Sequence, residues 1–208
     1  MLQVNGLFCE RGDRQLLNGL SFTLEPARLL HVRGANGAGK TSLLRIIAGL
    51  LLPTEGEVLW QGQPIKQQRE GYRNDLLYVG HLNGVKGELT CLENLRIDNV
   101  LMAAAANEDE ILNALQGIGL AGFEDVLGKH LSQGQHRRVA LCRLLLSKAR
   151  LWVLDEPFNA LDARAVDMLV GLIEAHLDRD GMVLLTTHQD VPLAGDRVAE
   201  ITLGRFDS

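Results

Sequence analysis

Cysteine, proline and aromatic residues are all scarce in this chain: three cysteines, five prolines and 4% aromatics in 208 residues. Cys9, Cys91 and Cys142 stand far apart with no C-x-x-C pair, which argues against a disulfide framework or a cysteine-built metal site and for buried thiols in a reducing cytoplasm. A basic excess is missing too. Lys and Arg number 21 against 26 Asp and Glu, a net charge of −5, so no positive field gathers a phosphate backbone and nucleic acid is a poor candidate for the main ligand. Long apolar runs are absent: residues 46–52 and 101–106 fall well short of the roughly 18 residues needed to span a bilayer. Any membrane role is therefore expected to come through a partner. Glu10, Arg11 and Asp13 follow close behind a short apolar start, a pattern unlike a signal peptide. With no repeat, low-complexity tract or Pro/Gly/Ser-rich linker, residues 1–208 are expected to form one domain.

What is present is an alternation of short apolar strands and amphipathic helices. Runs at 29–33, 76–79, 151–154 and 182–186 are too apolar for one-faced strands and are predicted to be buried in a parallel sheet. Helices are expected at about 40–49, 133–146 and 163–178, which makes the fold class α/β. Hairpin-like strands are expected at 20–24 and 57–60. Residues 90–119, with an alanine run at 103–106, are helix-prone throughout and suggest a helical subdomain, about residues 88–150, inserted in the α/β core. Thr90 and Glu93 form a capping-box pattern at its start.

Gly34, Ala35, Asn36, Gly37, Ala38, Gly39, Lys40 and Thr41 match G-x-x-x-x-G-K-[ST] in full, between an expected strand and an expected helix that continues through Ser42. The glycines let backbone N–H groups turn inward around phosphate oxygens, and the helix N-terminus adds its positive dipole end. Lys40 is suited to the β- and γ-phosphates and the Thr41 hydroxyl to Mg²⁺, so ATP is the expected substrate. Downstream, the apolar run 151–154 ends in Asp155 and Glu156. Two carboxylates at the carboxyl end of a buried strand stand where α/β sheets bind ligands. Asp155 is suited to hold Mg²⁺ and Glu156 to activate the attacking water.

Taken together these residues resemble the ATP-binding-cassette ATPases over nearly the whole chain. Leu131-Ser132-Gln133-Gly134-Gln135 resembles that family's L-S-G-G-Q signature, with Gln133 at the third position, and His136-Arg137-Arg138 follows it much as in the family. Leu161-Asp162 resembles the D-loop that couples two cassettes, and His188 the switch histidine after the last core strand. The resemblance implies a P-loop cassette with a parallel-sheet core, an N-terminal antiparallel β region and an inserted helical subdomain. It also implies a head-to-tail homodimer, each ATP lying between the phosphate loop of one copy and Ser132, Gln133, Gly134 and Gln135 of the other. Lys40, Glu156 and His188 would then carry catalysis, with Ser132 helping to hold the γ-phosphate.

Two positions depart from the family pattern. His81 stands where the family has a glutamine that reaches the Mg²⁺; a metal contact and a plain surface-loop position are both open. Arg11 stands where an aromatic usually stacks on adenine; a guanidinium plane can do the same, and Phe8 is the nearby alternative. The segment Cys9-Glu10-Arg11-Gly12-Asp13-Arg14, the Gly80-His81 pair, residues 151–157 and no further domain after His188 resemble the family of ATP-binding subunits of cytochrome c maturation haem-exporter complexes. That narrower resemblance implies a subunit on the cytoplasmic face of the bacterial inner membrane, docked on integral membrane permease subunits. Its hydrolysis would release haem from a periplasmic haem chaperone, the haem itself being handled by partners. An exporter of lipids or drugs is the rival reading within transport, and a cytosolic cassette working without a transporter the rival outside it. Residues 82–93 and the stretch after Thr90 are the candidate docking surface.

Overall fold

Strands that are apolar at every position have to be covered on both faces, and the computed structural model shows how this is done. It describes residues 1–12, 14–102, 104–188 and 196–204. In chain order the elements are β1 (Leu2–Arg11), β2 (Arg14–Leu24), β3 (Leu29–Gly34), α1 (Lys40–Ile47), β4 (Glu55–Trp60), β5 (Gln63–Pro64), α2 (Arg69–Asp75), β6 (Leu76–Val79), α3 (Cys91–Leu101), α4 (Glu108–Gly117), a 3-10 turn (Gly128–His130), α5 (Gln133–Leu146), β7 (Leu151–Asp155), α6 (Ala163–Leu177), β8 (Met182–Thr186) and β9 (Val198–Leu203).

Five strands pair in parallel in the order β6-β7-β8-β3-β9, and four form an antiparallel sheet in the order β2-β1-β4-β5. Alternate residues of the parallel strands feed two separate cores. Leu30 and Val32, Leu151 and Val153, and Met182 and Leu184 pack with Leu2, Val4 and Leu7 of β1 and Leu43, Leu44, Ile46 and Ile47 of α1. Trp152, Leu154, Val183 and Leu185 pack with Leu95, Leu115, Leu141, Leu144 and Ile173 of the helices. Each β7 and β8 residue is buried, so the sheet is a fixed platform. Register then brings the carboxyl ends of three strands level: Thr186 lies beside both Asp155 and Val32.

Several elements differ from the sequence expectation. β1 was not foreseen, because its buried residues Leu2, Val4, Leu7 and Cys9 lose strict alternation at a bulge between Val4 and Leu7. The expected strands at 20–24 and 57–60 are the ends of β2 and β4, and both pair with β1 rather than with each other. α2 was also unforeseen. The alanine run is not helical over 104–106; residue 103 lies outside the described residues. Ala105 has φ 54°, Asn99 clasps the Ala106 backbone through bonds of 2.8 and 3.0 Å, and Asn107 caps α4 in a capping box with Glu110. Side-chain bonds to the backbone outweigh the helix propensity of alanine there. The Thr90–Glu93 capping box is formed, with bonds of 3.1 and 2.8 Å. Cys9, Cys91 and Cys142 are buried free thiols. Among the described residues no helix is long and apolar enough to cross a membrane.

Under the platform His176 of α6 stacks on Trp152, ring centroids 3.8 Å apart and planes 8° from parallel. Burial is the largest influence on this imidazole and pulls its pKa from 6.5 down to about 4. Between those values the unfolded chain binds a proton that the folded chain refuses. The stability this contributes is fully present above pH 6.5 and is lost as pH falls toward 4. Thermal midpoints should therefore fall between about pH 7 and about pH 5, with a visibly shallower slope in His176→Phe; equal slopes in the two proteins would show that His176 is not the group responsible.

Candidate active site

The loop between β3 and α1 makes its turn with three glycines in conformations that favour glycine: Gly34 at φ 149°, Gly37 at 80° and Gly39 at 95°. A Cβ at Gly39 would stand 2.9 Å from the Leu16 carbonyl, and one at Gly34 2.9 Å from the Leu203 carbonyl, so β2 and β9 press the loop into shape. α1 starts at Lys40 with no acidic residue in its first turn and no side-chain cap, leaving its positive end open to an anion. Lys40 Nζ curls over the loop and donates to Gly34 O at 2.6 Å and Ala35 O at 3.4 Å. Ala38 is buried behind the loop, while Ala35 and Asn36 are on its exposed crest.

Asp155 ends β7 and is 2% exposed. Its Oδ2 accepts from Thr41 Oγ1 at 2.9 Å and its Oδ1 from Thr186 Oγ1 at 2.7 Å, so a buried carboxylate joins α1 to β8. Glu156 follows at φ 50°, a left-handed conformation disfavoured for glutamate. It is held there by its own N–H, which donates to Thr186 O at 3.1 Å and Thr186 Oγ1 at 3.0 Å. Its Oε1 lies 3.5 Å from His188 Nε2, and its buried Oε2 has no hydrogen-bond partner among the described residues. His31 of β3, itself buried, places Nε2 3.1 Å from Thr187 O, directly before His188.

Lys40, Thr41, Asp155, Glu156 and His188 line a cavity of about 710 Å³ together with Gly37, Gly39, Ser42, His81 and Arg11. That volume suits a nucleotide-sized ligand. Arg11 and Arg14, opposed across the β1–β2 turn, both face it. Phe8 does not line it; its ring packs against Gly19, 3.5 Å from where a Cβ there would stand. His81 is exposed at the rim.

The segment at 132–135 lies elsewhere. Ser132 caps α5, accepting from Gln135 N at 3.2 Å while its own N–H donates to Gln135 Oε1 at 2.8 Å. Ser132, Gly134 and Gln135 border a separate recess of about 290 Å³ with Ala160 and Asp162, and Gln133 is exposed beside it. Asp162 caps α6 through Ala165 N at 2.9 Å and pairs with Arg138 at 2.6 Å. The backbone N–H of Ala165 is the chief reason its carboxyl sits below the usual range. One chain thus does not bring 132–135 to its own phosphate loop.

Four side chains in these contacts were not singled out from sequence. Thr186 and His31 sit within strands that read simply as apolar, and Arg14 appears only within a segment that carries the resemblance, with no role of its own. Arg137 is 3% exposed and donates to five acceptors around the carboxylate pair. Its signal is a lone arginine in line with Leu141 and Leu144 on a buried helix face. Burial lowers its pKa, with Asp155 and Glu156 opposing that shift.

Residues 17–159 match the family model described as ABC transporter. The chain is 53% identical over 204 residues to the cytochrome c biogenesis ATP-binding export protein CcmA of Dechloromonas aromatica, covering 98% of this chain and 100% of the relative. It is 48% identical over 203 residues to the protein of that name in Escherichia coli K12, covering 98% and 96%. An ATP-binding cassette solved as a dimer in a post-hydrolysis state with ADP and Pi superposes with TM-score 0.85 at 23% identity, over 99% of this chain and 97% of that one. An ABC transporter ATP-binding protein from Pyrococcus furiosus does so with TM-score 0.82 at 28% identity, over 97% and 96%.

Proposed function

This chain belongs to the ABC transporter family of ATP-binding proteins, and from that premise we propose that it is the ATP-hydrolysing subunit of a membrane complex that exports haem for cytochrome c biogenesis. The observation that carries the hydrolytic reading is Glu156, held at a strand end with one buried carboxylate oxygen unpartnered among the described residues, against His188 and one residue from the Thr41–Asp155 pair.

In this reading Gly34, Ala35, Asn36, Gly37, Ala38 and Gly39 wrap the phosphates with backbone N–H groups, and Lys40 neutralises charge on the β- and γ-phosphates. Arg11, the one of the two adenine candidates that lines the cavity, stacks on the base. Thr41 and Asp155 would hold Mg²⁺: both offer hard oxygen donors already 2.9 Å apart, and Thr186 orients the second carboxylate oxygen. Bound there, Mg²⁺ supplies charge neutralisation to the phosphate oxygens. Glu156 takes the proton of the attacking water, and His188 stands beside the γ-phosphate position. His81, at the rim, is better placed to sense the ligand than to bind it deeply.

The separate recess at Ser132, Gly134 and Gln135 supports a head-to-tail homodimer, each copy's α5 N-terminus closing the other's cavity and Asp162 lying at the junction. Exposed apolar side chains, Leu82 at 85% in the His81 loop and Val100 and Leu101 at 78% at the end of α3, support docking on integral membrane subunits. Val85 is packed against the helical core and serves structure there. We place the chain, 1–208 as one cassette with a helical arm at about 88–150, on the cytoplasmic face of a bacterial inner membrane, held by those partners. The names borne by its relatives support export in cytochrome c biogenesis over a lipid or drug exporter, and haem is the cargo we infer for that export.

Glu156→Gln should retain ATP affinity within about threefold and lower kcat by about two to three orders of magnitude, read by nucleotide binding and phosphate release; fast turnover in that variant would refute the base assignment. Specific activity should fall on dilution of the purified chain, and a constant value down to dilute monomer would rule out the shared site. Affinity purification from membranes should bring down integral membrane subunits with haem, whereas a multidrug permease without haem would overturn the cargo.

A further inference from the structure

Arg137 lies in the second turn of α5, five residues after Ser132, and is buried to 3% exposure. Its guanidinium is saturated by two distant segments. Toward the strand end, Nη2 donates to Asp155 O at 3.0 Å and Glu156 O at 2.8 Å, and Nε to Pro157 O at 3.3 Å. Toward the loop after β6, Nη1 donates to Gly80 O at 3.0 Å and Asn83 Oδ1 at 3.1 Å. A planar fork with five donors can span such acceptors, and a point charge cannot.

The placement matters because of what holds Glu156. Its backbone is in the left-handed region, its N–H is fixed by Thr186, and its carbonyl is fixed by Arg137. Oε2 has no hydrogen-bond partner among the described residues and Oε1 only approaches the exposed His188 at 3.5 Å, so the direction of the carboxylate depends on how its backbone is held. The same guanidinium bonds the residue before His81 and the side chain two residues after it. A displacement of α5 or of the 80–83 loop therefore re-aims Glu156.

We propose that Arg137 is a positioning residue for hydrolysis, setting the direction of the Glu156 carboxylate through the carbonyls of residues 155–157 and making it depend on the loop that carries His81 and the exposed Leu82. This rests on the reading of Glu156 as the base. It gives the docking surface a physical route to the chemistry: a partner that moves Leu82 changes turnover and leaves nucleotide affinity alone. A guanidinium with a purely structural role would change folding and affinity and leave the aim of Glu156 untouched.

The test uses the full-length chain and the variants Arg137→Lys and Asn83→Ala, the second removing only the loop-side acceptor. Arg137→Lys is expected to keep ATP affinity and KM within about threefold while kcat drops about 10- to 100-fold, since a misplacement of about 1 Å can cost that much. Asn83→Ala should lower kcat by about three- to tenfold with the fold intact, which keeps the proposal testable even if Arg137→Lys does not fold. In a Glu156→Gln background, Arg137→Lys should change the residual rate by less than about twofold, because no base is left to aim. Wild-type kcat in both variants, parallel losses of affinity and kcat, or a full multiplicative effect in the Glu156→Gln background would overturn the proposal. If Glu156→Gln itself hydrolyses ATP at the wild-type rate, the base assignment falls instead, and the two failures are told apart by that single control.

Discussion

The Asp155 carboxylate is the joint on which the site turns. One oxygen accepts from Thr41 at the start of α1 and the other from Thr186 at the end of β8, while its own backbone ends β7. A carboxylate at 2% exposure is tolerable because both oxygens are paired; leaving one unpaired costs about 1–3 kcal/mol or more. The pairing brings the phosphate loop, the carboxylate pair and the residues before His188 to the same edge of the sheet. It depends on register. Asp155 beside Thr186 and Thr186 beside Val32 are consequences of strands buried on both faces, where a one-residue slip would turn Asp155 into the wrong core.

Around that rigid edge the functional groups differ in how firmly they are held. Lys40, Thr41 and Asp155 are tied by short bonds to the loop and the sheet. Glu156 carries backbone strain, secured by Thr186 on one side and Arg137 on the other. His188 and His81 are exposed at the rim. In the proposed function this order, from anchored to exposed, would run from phosphate binding, which needs a preorganised cradle, to steps that respond to a second copy or a partner. α5 spans both ends of that path, since it presents Ser132 outward at its cap and Arg137 inward one turn later.

Membership of the ABC transporter family accounts for the parts shared with many machines. The two positions expected from sequence to depart from the family pattern, Arg11 and His81, both line the same cavity.

The sequence by itself determined whatever depends on neighbours in the chain. The phosphate loop is readable because its turn needs glycine at fixed offsets and a helix start directly after, all within eight residues. β7 and β8 are readable because burial on both faces demands uninterrupted apolar residues, and the Thr90–Glu93 cap because its bonds span one helical turn. Tertiary structure decided the rest. A bulge hid β1, and Asn99 and Asn107 overrode an alanine run through bonds that propensity does not count. The β1–β2 register turned Arg11 toward the cavity and left Phe8 on Gly19. Arg137 looked like one more basic residue on a helix until residues 80–83 and 155–157, far from it along the chain, closed around its guanidinium. Local bonding is written in adjacent residues; the partners of a buried charge exist only after the chain has folded back on itself.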